Sequence, residues 1–298
     1  MTTVFKPGDE ELQQLVCARR DEVLRLQQSE ALHLQDIEQR GADRVKAMRD
    51  GLPAEFVAFM DKQGKADDAA GDEYRREVEE IRAKLIGTAI PEAEHTAVHP
   101  GLAGGQLVAP AALGWLTPYY GVLHWSDGTV VWEGYNPGNI DLWVWAQGAG
   151  TGNSGAGAGS ATLIMDWWFT YTPTASRYYY HTVSVPYHGF YIVRAFDDPF
   201  TSKEALARID LSATGYQFGY KPTGSLNLLS LRGSNINANY RFDGWRTLYY
   251  SDLLAAGTAY LRVSSTNYVY ARGANSYAQL NFNDGASNYM GVPWVYVS

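Results

Sequence analysis

The sequence predicts a segregated α+β protein, with an N-terminal helical stem or hairpin followed by an all-β antiparallel sandwich of jelly-roll type. Three observations carry that prediction. The apolar period changes from 3.6 residues to 2 near residue 105. All nine tryptophans lie beyond that point. Charge is also divided unevenly: of 24 Lys+Arg and 32 Asp+Glu, residues 1–100 hold 14 and 21. A polar, helix-forming segment therefore precedes an aromatic, strand-forming one.

The stem covers residues 1–87. From Asp9 to about Asp50 the chain is rich in Glu, Gln, Arg, Leu and Ala, with no proline and with Gly41 as its one glycine, so one long helix is expected with a bend near Gly41. Leu12, Val16, Val23, Leu26, Leu34, Ile37, Val45 and Met48 form a narrow apolar stripe. Arg19 and Glu30 occupy stripe positions that a clean heptad would give to leucine, so the stripe reads as an imperfect coiled-coil or hairpin seam that needs a partner. Gly51-Leu52-Pro53 breaks the helix, Ala54 to Met60 reads as a short helix, and Glu73 to Gly87 as another ending on glycine. Residues 88–105 form a Pro/Gly/Ala-rich linker.

The β head covers residues 106–298. YYGVLHW-SDG-TVVWEGY reads as a hairpin, because Asp127-Gly128 supplies the positive φ angles of a two-residue turn. NANYRF-DG-WRTLYY repeats the pattern at Asp243-Gly244, and TNYVYA-RGAN-SYAQLNF uses a longer loop. Ser251 to Gly257 reads as a helical turn between strands. Ten or more short antiparallel strands with few charges favour two packed sheets over a parallel α/β sheet.

Composition bounds the function. A net charge of -8 and a pI near 5.3, without a basic stripe, argue against nucleic acid as a partner. The single cysteine, Cys17, allows no intrachain disulfide. No run of about 18 apolar residues suits a spanning helix, and no signal-like apolar region is found, so the expectation is synthesis in the cytoplasm with any export by a signal-independent route.

GTGNSG, Gly150 to Gly155, matches the G-x-G-x-x-G spacing of a dinucleotide turn. Such a site needs a helix straight after the glycines and an acid about 20 residues on. Here a β-branched, aromatic strand comes after the glycines instead, with Asp166 inside it. Residues 148–160 are therefore read as a flexible Gly-rich loop, and no cofactor is expected. PEAEHTAVHP places Glu92, His95 and His99 on one face if helical, a possible zinc set, although histidines in a Pro-bounded linker are commonly solvated. His181 and His188 flank VSVPY with opposite strand parity, which speaks against a shared ligand sphere. Asp141 and Asp166 are unusual as mid-strand carboxylates and form the candidate hydrolytic pair.

The distinctive signal is aromatic: 21 Tyr, 9 Trp and 10 Phe. On Ile140 to Gln147, parity sends Ile140, Leu142, Val144 and Ala146 to the core and leaves Trp143 and Trp145 beside Asp141. On Leu163 to Tyr171 it leaves Trp168 beside Asp166, and on Tyr178 to Val185 it leaves Tyr178 and Tyr180 beside Thr182 and Ser184. These five rings are the candidate ligand-binding set. Three coverings remain open: the stem or another layer of the same chain, a protein partner, or a glycan. The leading expectation is a non-catalytic recognition or assembly protein, lectin-like or tail-fibre-like in outline, that binds a glycan or protein surface and forms homo-oligomers through its stem. The alternatives are a toxin component acting on membranes or receptors, and a polysaccharide-active hydrolase.

Overall fold

The computed structural model describes residues 10–88, 114–116, 118–125, 130–136, 141–149, 158–196, 203–285 and 288–298, with the backbone alone at 67–68, 120, 122–125, 130–136, 141–149 and 220–222. A helical N-terminal region is followed by two antiparallel sheets. Helix α1 spans Glu10–Asp50 and runs through Gly41 without interruption. Helix α2 spans Ala54–Gly87 as one element, where two shorter helices were expected. The intervening DKQGKADDAAGD is helical because Ala, Lys and Gln outweigh two glycines that cost about 1 kcal/mol each. One of these, Gly71, packs 3.5 Å from Asn275 Oδ1, measured from where a Cβ would stand.

The strands are β1 (Gly114–Leu116), β2 (Tyr120–Trp125), β3 (Val130–Asn136), β4 (Asp141–Ala149), β5 (Ala158–Tyr171), β6 (Arg177–Phe196) and β7 (Glu204–Tyr216). They continue with β8 (Tyr220–Gly233), β9 (Asn235–Phe242), β10 (Trp245–Leu254), β11 (Ala259–Arg272), β12 (Tyr277–Asn281), β13 (Tyr289–Gly291) and β14 (Trp294–Val297). One sheet has five strands in the order β2-β5-β11-β7-β8. The other has nine and is organised on the 20-residue β6. The first half of β6 pairs with β10 and β14, and its second half with β9, β12 and β13.

Three expected hairpins are corrected by the pairing. β2 pairs with β5 while β3 pairs with β4, so the segment around Asp127-Gly128, itself outside the described residues, joins strands of different sheets. β11 and β12 likewise lie in different sheets. β9 and β10 both pair with β6 in one unbroken register, Phe242 opposite Gly189 and Trp245 opposite Pro186. Asp243-Gly244 is thus a kink within an edge strand, where Tyr187 N donates to Gly244 O at 2.8 Å. Positive φ, here +143° at Gly244, serves a kink or a crossover as well as a hairpin, so the dipeptide does not say where the next strand pairs. Ser251 to Leu254 also proves to be strand, with a bend only after it.

Strand alternation builds the core between the sheets. Leu163, Met165, Trp167 and Phe169 of β5 meet Tyr179, Val183 and Val185 of β6, all fully buried. The two helices lie on the outer faces. Leu12 and Val16 of α1 pack with Trp168 and Tyr260 on the five-stranded sheet. Val78 of α2 packs with Phe190, Ile192 and Tyr277 on the nine-stranded one. The stripe expected to seek another helix therefore meets β-sheet over its first turns.

Candidate functional site

Helix cover decides which outward-facing aromatics reach solvent. On β5, Trp168 is only 1 % exposed, which corrects its expected place on an open face. α1 lies over it, held by polar contacts along its length. Arg19 Nε donates to Asp166 Oδ2 at 3.1 Å, and Arg19 Nη1 lies 2.8 Å from Glu22. Thr162 Oγ1 donates to Glu30 at 2.7 Å, and Ala158 N donates to Glu38 at 3.3 Å. Burial raises the Glu30 pKa, against the opposing hydrogen bonds from Thr162 and Tyr268. The two polar interruptions of the helical stripe are thus partners for the sheet.

β6 shows the same rule within one strand. In its second half, Phe190, Ile192 and Arg194 face α2 and are buried. Arg194 donates to Glu77 at 2.8 Å and its guanidinium lies 4.9 Å over the Tyr74 ring. The end of α2 is tied at mid-strand level, where Arg241 donates to Leu85 O at 3.3 Å and Arg82 pairs with Asp284 at 2.6 Å. In the first half, residues of the same parity become open toward the strand start: Tyr178 and Tyr180 are 59 % and 61 % exposed, Thr182 is half-buried and Ser184 is buried.

Neighbouring strands complete an aromatic face there. Register places Tyr249 opposite Thr182, Ser251 opposite Tyr180 and Leu253 opposite Tyr178. On the other side Trp294 stands opposite Ser184, Tyr296 opposite Thr182, and Trp115 opposite Tyr296. Tyr249 is 75 % exposed. Trp115 meets Trp294 edge-on at 4.6 Å between centroids, and Trp245 stacks on Trp294 at 5.9 Å. Seven rings therefore share one face: Trp115, Tyr178, Tyr180, Trp245, Tyr249, Trp294 and Tyr296. Thr182, Thr247 and Ser251 place hydroxyls among them, while Ser184 on the same face is buried. At one end the tryptophans pack on one another and Trp294 is buried beneath its neighbours, whereas Tyr178, Tyr180 and Tyr249 at the other stand open.

Beneath this face His181 points into the core, its Nε2 2.7 Å from the Tyr171 hydroxyl. Burial lowers its pKa to about 4. Tyr250 beside it donates from its hydroxyl to Asp252 at 2.9 Å, and burial raises its own pKa. This polar cluster belongs to the interior.

Of the other expected site residues, Asp166 is fully buried and engaged by Arg19, so it has no access to substrate as a hydrolytic acid. Asp141, Trp143 and Trp145 lie on β4, where Leu142 pairs with Met290 and Trp145 with Asn281. Their side chains fall outside the described residues, as do Glu92, His95 and His99 and most of the Gly-rich loop. Among the described residues no cluster of three or more His, Cys, Asp or Glu could hold a metal. No described helix is long and apolar enough to cross a membrane. Sequence reasoning missed Trp115, Trp245, Tyr249, Trp294 and Tyr296. For Tyr249 a signal existed, since WRTLYYSDLL alternates through Leu254, but reading Ser251 onward as a helical turn cut that strand short.

No protein-family model matches the chain. No curated protein matches it. Among solved structures it is similar to the carbohydrate-binding module TmCBM61 in complex with beta-1,4-galactotriose, at 10% identity over 61% of this chain and 90% of that one, with a TM-score of 0.22. It is also similar to the enzymatically active domain of tailspike protein 4 from bacteriophage CBA120, at 10% identity over 54% of this chain and 19% of that one, with a TM-score of 0.20. Likenesses this distant carry no argument about fold or function.

Proposed function

We propose that this protein is a non-catalytic recognition protein, in which a two-sheet sandwich of jelly-roll type presents the open half of its nine-stranded sheet to a glycan. The observation that carries this reading is the contrast along β6. Outward residues of its second half lie under α2, while those of its first half join a face of seven rings that no described helix covers. Sugar rings have apolar CH faces and hydroxyl edges, and interleaved aromatic rings with Ser and Thr hydroxyls match both. A protein partner is the second reading, favoured by the same exposed tyrosines. Self-association through the helices is assigned to the part of the hairpin around its turn, where Met48, Phe56 and Phe59 are exposed.

The test replaces Tyr180 and Tyr249 singly with Ala and measures thermal melting and binding on a glycan array. Exposed substitutions change stability by less than about 0.5 kcal/mol. Loss of a central anchor weakens binding by about 2 kcal/mol or more. Array binding that is unchanged in both variants would remove this face from the glycan reading.

A further inference from the structure

The nine-stranded sheet has two kinds of outer surface. Where α2 covers it, apolar packing of Val78 on Phe190 and Ile192 is joined by ion pairs, Arg194 with Glu77 and Arg82 with Asp284. On the open half, every described residue whose register places it outward is uncharged, from Trp115 and Tyr296 through Tyr180 to Tyr249 and Leu253. The nearby cations have the other parity. Arg246 stands opposite the core residue Val185, and Arg177 lies 4.4 Å over the Tyr179 ring. Solvated sheet faces ordinarily carry charges that discourage association, so a neutral aromatic one points to a specific ligand.

We infer that the ligand is an uncharged polysaccharide, bound along an internal stretch of its chain. This deepens the glycan reading and rests on it. Carboxylated or sulfated sugars are recognised through Arg or Lys, which form charge-assisted hydrogen bonds, and this face has neither. The same lack weighs against a protein partner, because Arg is enriched among interface anchors. The site also lies on paired strands of one sheet. Its width across β1, β14, β6 and β10 is about 14 Å and its accessible length from Tyr178 to Thr182 about 13 Å, from strand spacing and rise, since Ser184 beyond them is buried. A surface of that extent engages the faces of several successive sugars. Reading a chain end would require polar groups converging from walls around it.

The experiment incubates the full chain with insoluble neutral polysaccharides (cellulose, chitin, mannan and starch) and with immobilised alginate and heparin, at low salt and at about 0.5 M NaCl, where exposed charge pairs are screened. Retention by at least one neutral polymer is expected, changing less than about twofold with salt. Its disaccharide should compete at least about tenfold more weakly than a longer oligosaccharide, and Y180A and Y249A should each lose about tenfold or more in affinity. Retention by the anionic polymers alone, abolished by salt, overturns the inference and leaves the glycan reading standing. Equal competition by the disaccharide overturns the internal-stretch part. Retention by no polysaccharide overturns both readings.

Discussion

Replacing Arg19 with Met tests whether α1 is part of the β head or a stem merely attached to it. Asp166 is completely buried, and the Arg19 guanidinium bonds to it at 3.1 Å with its own side chain only 9% exposed. Removing the cation leaves a carboxylate buried without its main compensating charge, which costs about 3 to 5 kcal/mol. The Arg19 contact with Glu22 adds little, because Glu22 is half exposed and surface pairs are worth about 0 to 1 kcal/mol. The double variant Arg19→Met with Asp166→Leu removes both charges and should recover to within about 1 to 2 kcal/mol of the parent. Urea unfolding followed by tryptophan fluorescence gives these differences, with a coupling energy of order 3 kcal/mol expected from the cycle. Iodide quenching provides a local readout, since loosening α1 uncovers Trp168. A single variant costing less than about 1 kcal/mol, with coupling below about 0.5 kcal/mol, would refute the docking argument and restore α1 as an independent stem.

Trp168→Ala should destabilise by roughly 3 to 5 kcal/mol, as for a large core deletion; a melting temperature equal to the parent's would place that ring on the surface after all. Stability should fall as pH drops from about 6.5 to about 4, because burial lowers the His181 pKa to about 4, so the unfolded chain takes up the proton first. The shift corresponds to about 3 kcal/mol, and His181→Gln should flatten that part of the stability profile. Phe218 is 83% exposed with φ of 54°, held in its loop by Gln217, whose side chain bonds to Ala255 N at 2.7 Å and Ala255 O at 2.9 Å. Asn accepts left-handed backbone at lower cost, so Phe218→Asn should raise stability by about 1 kcal/mol, and a thermal melt showing a fall instead would reveal native contacts of the ring.

The sequence by itself determined most element types, Ser251 to Leu254 being an exception. Helix-forming composition marked residues 10–50, and period-2 alternation sorted Leu163, Met165, Trp167 and Phe169 inward, because side-chain direction along a strand is a local property. It also marked Tyr178 and Tyr180 as outward, and both are exposed. Pairing was less legible, since Asp243-Gly244 meets a local φ requirement without specifying whether β10 turns back on β9 or continues beside β6. Cover was not legible at all. Trp168 and Tyr180 have the same outward parity on their strands, yet one lies under α1 and the other is open. Arg19 and Glu30 looked like flaws in a helical seam until their partners, Asp166 and Thr162, proved to lie 147 and 132 residues away in sequence. Only tertiary structure decides such matters, because exposure depends on which distant segment packs above a residue, and strand period describes nothing beyond the direction in which its side chain leaves the backbone.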